Sequence, residues 1–277
     1  MSGTTAVVEQ HPVHIGATFG RALGRVKEMV KRGGAFYAAV YAARWVVVQM
    51  ADALTRKAAE IERRANVVEP WAVSAERFTS SENRALWNTY DWSTLGEEWT
   101  PSEQWRQAIV EHFMAPYVPE HSSILEIGPG GGRWTDVLRQ RAERLVVLDV
   151  AERPLQLCRE RFRHASNIEF LLGDGRSIGV PDQSIDGIWS YDVFVHINPA
   201  DARSYIREFS RILRPGAHAV VHHPGQAGPS QRDRAWRSDL TDQMVRTFLQ
   251  ESGLRVVATT RDYVNPGDVL TVMQKPR

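Results

Sequence analysis

The stretch Ile124-Leu-Glu-Ile-Gly-Pro-Gly-Gly-Gly-Arg-Trp-Thr135 decides how this chain is read. An apolar run carrying one acid, Glu126, breaks into glycines and then resumes as a helix-forming sequence. That is the pattern of a buried strand, a tight turn and a helix. Gly128, Gly130 and Gly132 fall in a G-x-G-x-G spacing. Glycine reaches positive φ and lets a ligand approach the backbone closely, and a nucleotide-like ligand needs both at a strand-to-helix turn. The dinucleotide fingerprint G-x-G-x-x-G would place its third glycine at position 133. Arg133 stands there, so the strict pattern fails.

Outward from this turn the chain alternates. Candidate strands fall at 123–127, 144–149, 168–172, 185–191, 217–223, 255–262 and 269–275. Helices fit at 135–141, 154–164, 199–213 and 241–252, with a short turn near Ile178. Such alternation predicts an α/β fold, a mostly parallel Rossmann-like sheet with helices on both faces. Only Tyr263-Val-Asn-Pro-Gly267 separates the last two strands, so they are expected to pair antiparallel at one edge.

Open parallel sheets bind ligands at the carboxyl ends of their strands, where strand order reverses. The chemistry-bearing residues gather at such ends. Asp149 closes the second strand, where a carboxylate can accept both hydroxyls of a ribose. Gly173-Asp174-Gly175 follows the third, and reads either as a ligand turn or as a plain Asp-Gly turn. Ser190-Tyr-Asp-Val-Phe-Val-His196 follows the fourth, placing His196 one helical turn past Asp192. His222 and His223 end the fifth. Three histidines at neighbouring strand ends suggest proton transfer, since imidazole titrates near pH 6.5. Solvated loop histidines or helix caps are the alternative.

Upstream, residues 1–17 read as a disordered tail and 18–66 as a helical extension, broken near Gly33-Gly34. The stretch 35–54 is interrupted by Arg44, Gln49 and Asp52, whereas a membrane span needs about 20 apolar residues with few charges. It therefore reads as a helix packed on the rest of the chain or on a second subunit, or as a basic helix on a membrane surface. Residues 67–120 form an aromatic-rich linker, and 121–277 the sheet domain. Nine tryptophans is a high count, and Trp71, Trp87, Trp92, Trp99, Trp105 and Trp134 fall in or near that linker.

Bulk composition narrows the class. The 277 residues are 43% hydrophobic and 24% charged, ordinary for a globular protein. A net charge of +1 makes no global case for nucleic-acid binding. Cys158 is the single cysteine, so neither an internal disulfide nor a cysteine zinc site can form. No basic region followed by an apolar stretch marks a secretory signal, and the expected location is cytoplasmic or membrane-peripheral.

Taken in order, the acid and glycines of the first strand end, Asp149, Asp174-Gly175 and the fourth strand end resemble the class I S-adenosylmethionine (SAM) dependent methyltransferases over residues 85–277. That family has a seven-stranded sheet with an antiparallel terminal strand. The resemblance implies that Glu126, Gly128, Gly130, Gly132, Asp149, Asp174, Gly175, Ser190 and Tyr191 bind SAM, with Asp174 accepting from the adenine amino group. It implies that the segment 87–105 folds over the cofactor as a lid, with Trp92 toward the acceptor; Arg237, in the loop after the fifth strand, reads either as a contact to an anionic acceptor or as a solvated side chain. Trp87-Asn-Thr-Tyr-Asp-Trp92, Gly132-Arg-Trp-Thr135, Ser190-Tyr-Asp-Val-Phe-Val-His196 and His222-His223 look more narrowly like a bacterial group linked with glycan or secondary-metabolite methylation.

The chemistry implied is in-line methyl transfer. A hydroxyl acceptor would need a base, for which His196, His222 and His223 are the candidates, with Asp192 orienting the imidazole. The expected function is thus O-methylation of a saccharide or other small hydroxylated molecule. N-methylation of a small amine is the alternative. A non-catalytic scaffold subunit using the helices at 18–66 comes from another class, as does an NAD(P) oxidoreductase, which Arg133 and the terminal strand pair disfavour. No adjacent pair of carboxylates suggests a divalent metal.

Overall fold

The computed structural model describes residues 78–225 and 237–277. The expectations for 1–17, for 18–66 and for the first part of 67–120 lie outside the described residues. Six α-helices are described: α1 (Ser80–Thr89), α2 (Glu103–Ile109), α3 (Thr135–Arg141), α4 (Glu152–Arg161), α5 (Pro199–Ile212) and α6 (Asp242–Glu251). Seven strands are described: β1 (Ser123–Ile127), β2 (Arg144–Asp149), β3 (Ile168–Leu172), β4 (Ile185–Ser190), β5 (Leu213–Pro224), β6 (Arg255–Thr260) and β7 (Asp268–Gln274). Among the described residues no helix is long and apolar enough to cross a membrane.

The sheet runs β3-β2-β1-β4-β5-β7-β6. β1 to β5 are parallel, and β7 lies antiparallel between β5 and β6. The last two strands pair as their short connection predicts. The one at the edge is β6, whose alternating exposure fits a strand covered on one face. The order of strands reverses between β1 and β4, which puts a crevice above their carboxyl ends.

Two-residue periodicity divides the core. Leu125, Ile127, Val146, Leu148 and Ile188 point to one face, where Phe209 and Ile206 of α5 and Leu249 of α6 cover them. Ile124, Leu145, Val147, Trp189 and Val220 point to the other, against Ile109, Met114, Leu138 of α3 and Leu155 of α4. Nearly all these side chains are inaccessible. Burying each contributes on the order of 1.5–3 kcal/mol.

Local chemistry sets the element ends. Thr79 caps α1 with a capping box: its side chain accepts from the Glu82 amide while Glu82 reaches back. Asn198 caps α5, with Pro199 in its first turn. A π-turn, Val110–Met114, follows α2, and in it the Ala115 amide reaches Val110 O at 2.7 Å. β4 stops at Ser190, just before Asp192 takes a left-handed φ of 61°.

Candidate active site

The glycine turn between β1 and α3 forms the floor of a cavity of about 750 Å³. Gly128 has φ 71°, and a Cβ there would lie 2.3 Å from the Val193 side chain. A Cβ on Gly131 would lie 2.4 Å from Leu95 Cα. The loop after α1 therefore rests directly on the turn, and glycine is required both for the turn and for this roof. Trp92, only 7% exposed, covers Gly130, and its indole N–H donates to Trp87 O. Trp87, Tyr90, Trp92 and Trp99 pack with ring centroids 4.9–6.4 Å apart. Trp105, Trp134, Tyr191 and Tyr263 line the rest of the wall. A cavity of this size, mostly aromatic with a few convergent polar groups, is the usual form of a small-molecule site.

The strand-end acids take different positions. Asp149 lines the cavity and accepts from the Ala151 amide. Burial pushes its pKa up to about 7. Glu126 lies beneath the turn, 2% exposed, and accepts from Thr135 Oγ1 at 2.6 Å. Burial, with the nearby Asp149 charge, pushes its pKa up to about 8 against the hydrogen bond from Thr135. Asp174 is exposed, and its oxygens accept from the Arg176 and Ser177 amides and the Ser177 hydroxyl. It serves its own turn rather than the cavity wall, which Gly175 lines. The Asp-Gly turn, one of the two readings of this segment, describes the side chain. Ser190 is fully buried and donates to Ile127 O, tying β4 to β1 rather than facing a ligand. Gly128, Gly130 and Tyr191 line the cavity, while Gly132 packs on Phe162 below it.

The histidines separate. His196 lines the cavity on a short 3-10 turn, Phe194–His196, its ring edge-on to Trp87 at 5.1 Å. His222 is wholly buried behind the wall, with Nδ1 2.9 Å from Asp192 Oδ1 and Nε2 3.1 Å from Asp268 Oδ2. Burial opposes charge on this ring, but its two carboxylate partners outweigh burial and raise the pKa above the ordinary value. His223, the next residue, points to the opposite face. Its ring nitrogens meet Pro224 O and Thr271 Oγ1, and burial pushes its pKa down to about 4. Alternation along a strand imposes this split. His222 and His223 are thus out of reach of an acceptor in the cavity, against the expectation that either is the base.

Around His222 runs a chain of alternating charge that sequence reasoning missed. Arg133 Nη2 donates to Asp192 Oδ2 at 2.7 Å, His222 bridges Asp192 and Asp268, and Arg237 donates to Asp268. Burial disfavours charge on Asp192, but His222 and Arg133 hold its carboxyl well below the usual range. Arg133, Asp192 and Arg237 line the cavity. Arg133 entered the sequence reading only as the residue that breaks a glycine pattern, and nothing in the sequence joins Asp268 to positions 192 and 222.

Comparison with known proteins agrees with this architecture. Residues 125–221 match the family model described as a methyltransferase domain. A demethylmenaquinone methyltransferase from Tropheryma whipplei is 27% identical over 146 residues, 51% of this chain and 59% of that one. A 2-phytyl-1,4-naphtoquinone methyltransferase from Thermosynechococcus vestitus is 30% identical over 166 residues, 57% and 64% of the two chains. The chain spans less than two thirds of the length of either relative. Among solved structures, the N-methyltransferase NodS from Bradyrhizobium japonicum, in complex with S-adenosylhomocysteine (SAH), superposes with TM-score 0.54 at 21% identity over 72% of this chain and 97% of that one. The PH0226 protein from Pyrococcus horikoshii gives 0.54 at 19%, over 67% and 99%. The residues present fit SAM: a glycine backbone lines one wall, a carboxylate stands where a ribose would lie, and aromatic faces suit a sulfonium. Residues 125–221 are thus similar to a methyltransferase domain, and the seven-stranded sheet has the fold of solved methyltransferases.

Proposed function

We propose that this protein transfers a methyl group to a hydroxyl of a small acceptor, a saccharide or another hydroxylated molecule, seated in the cavity beside the cofactor. SAM, when bound, supplies a methyl group already activated as a sulfonium. The chain's own residues have the remaining tasks. The turn at 128–131 and Asp149 hold the cofactor, and Trp92 with the 92–99 loop keeps water off it. Alignment of the two reactants accounts for about 7–11 kcal/mol of the barrier in well-oriented systems. Tyr191, Trp105, Tyr263 and Arg237 border the space left for the acceptor.

The observation that carries the hydroxyl reading is His196 in the cavity wall. Its imidazole would take the acceptor's hydroxyl proton as the oxygen becomes the nucleophile, an assistance worth on the order of 10²–10⁴-fold. The test is transfer of labelled methyl from SAM into saccharide and non-saccharide fractions of a cell extract, by wild type and by His196→Gln. Label entering a hydroxylated product, lost at least 100-fold in the variant with SAH affinity retained, supports the reading. Label entering only amines, at a rate His196→Gln leaves unchanged, overturns it.

One observation favours an amine acceptor instead. Glu98, Asp192 and Asp262 line the cavity together with aromatic faces, and carboxylates and rings both attract an ammonium group. NodS is an N-methyltransferase. On this second reading the pH dependence of the rate follows the acceptor's own amine and is indifferent to His196.

A further inference from the structure

The charge chain leaves one donor unused. Arg133 is 5% exposed, and its Nη2 is bound to Asp192, but Nη1 has no hydrogen-bond partner among the described residues. An unsatisfied guanidinium nitrogen at this depth is costly unless something in the cavity completes it. The carboxylates around it are committed elsewhere. Asp192 is shared with His222, and Glu98 accepts from Tyr90 and Thr94. The guanidinium carbon lies 5.5 Å from the Trp134 ring centroid and 5.8 Å from that of Tyr191, which fixes its plane between two aromatic walls. Arg133 also follows Gly132 directly, so it sits at the end of the turn that holds the cofactor's amino-acid part on the reading above.

We propose that Arg133 is the carboxylate-binding side chain of the cavity, its Nη1 directed to the α-carboxylate of the methyl donor. Asp192, His222, Asp268 and Arg237 then act as positioning residues that hold Arg133 in place. A guanidinium is suited to this task because its donors have fixed geometry and stay charged throughout the physiological range. Asp192 itself has a left-handed backbone, both its carboxylate oxygens are bound, and its amide donates to His222 Nδ1 at 3.1 Å. This inference rests on SAM binding and goes further by naming the atom that reads the donor's acidic group. A carboxylate on the acceptor would satisfy Nη1 equally well, and the experiment separates the two.

The experiment is calorimetric binding, without turnover, of SAH and of its decarboxylated counterpart, which keeps the amine and lacks only the carboxylate. Wild type is expected to prefer SAH by on the order of 10- to 100-fold, the usual worth of a charged hydrogen bond. Arg133→Gln is expected to lose that preference, binding SAH weakly and the decarboxylated ligand as wild type does. Arg133→Lys keeps the charge without the fork and is expected to fall between them. Circular dichroism and melting of each variant show whether it folds, and the wild-type preference requires no variant at all. Equal loss for both ligands in Arg133→Gln would make Arg133 a scaffold of the turn and overturn the proposal. So would unchanged SAH affinity in Arg133→Gln together with loss of acetate binding to the SAH-loaded protein, which would assign Nη1 to the acceptor. Failure of wild type to bind SAH at all would sink the methyltransferase reading itself, an outcome distinct from binding that ignores the carboxylate.

Discussion

At the scale of single residues, the turn leaves no room for substitution and the acid beneath it makes stability depend on pH. Gly131→Ala would push a methyl group to 2.4 Å from Leu95 Cα, which a backbone atom cannot yield without moving the roof. A loss of about 1–3 kcal/mol in urea unfolding is expected, together with weaker SAH binding; unchanged affinity would detach the roof from cofactor retention. Glu126 gives a prediction with a sign. Its pKa is near 4.5 unfolded and about 8 folded, so the folded state holds the proton longer. A raised pKa adds stability that is present below the unfolded value and is lost as pH rises through the folded one. Glu126→Gln keeps an acceptor for Thr135 and never ionises. Its unfolding free energy in urea should match wild type near pH 4.5 and exceed it at pH 9, by up to about 5 kcal/mol. Parallel pH curves would show that Glu126 is neutralised by another route.

At the scale of elements, the ends of β4, β5 and β7 are joined by His222, which binds Asp192 after β4 and Asp268 at the start of β7. Breaking a buried ion pair by removing one partner costs about 3–5 kcal/mol. His222→Gln is therefore expected to destabilise by about 3 kcal/mol at pH 6. The raised pKa of His222 sets the pH window: its contribution is complete below the unfolded value near 6.5 and fades as pH rises through the higher folded value. The gap between wild type and variant should narrow by pH 9, and a gap independent of pH would mean the ring stays neutral. The elements themselves were legible in the sequence. β1, β2 and α3 fall where periodicity and the glycine turn put them, because a buried strand leaves an unbroken apolar signature. The ion chain was not legible. Its members come from five separate segments, and only the antiparallel register that sets Pro224 opposite Asp268 brings Asp268 beside His222. Asp174 misled in the other direction, since an Asp-Gly turn and a ligand turn share one local sequence. The roof was partly legible as a cluster of aromatics, but which ring covers Gly130 depends on the loop after α1.

At the scale of the whole molecule, binding and folding are linked. The cavity is walled by residues from the segment at 80–105, the β1 turn, the ends of β2 and β4 and the β6–β7 connection, so a ligand that fills it contacts groups scattered along the chain. The unfolded chain offers no such site. A ligand that binds only the folded state stabilises it by RT ln(1 + [L]/Kd), about 2.7 kcal/mol at 100 times Kd. For a domain of this size each kcal/mol raises Tm by roughly 2–4 °C. SAH at 100 times its Kd is therefore expected to raise Tm by roughly 5–10 °C, and Trp92→Ala, which opens the roof over Gly130, should reduce that rise at the same SAH concentration. NADH is the informative control, because its ribose would meet Asp149 as the cofactor's does, while Arg133 stands where the dinucleotide fingerprint requires glycine. A rise with SAH and none with NADH places the discrimination in the glycine turn. A rise with NADH alone would overturn the assignment of the cavity to SAM, whatever the sheet topology, because fold by itself does not choose the ligand.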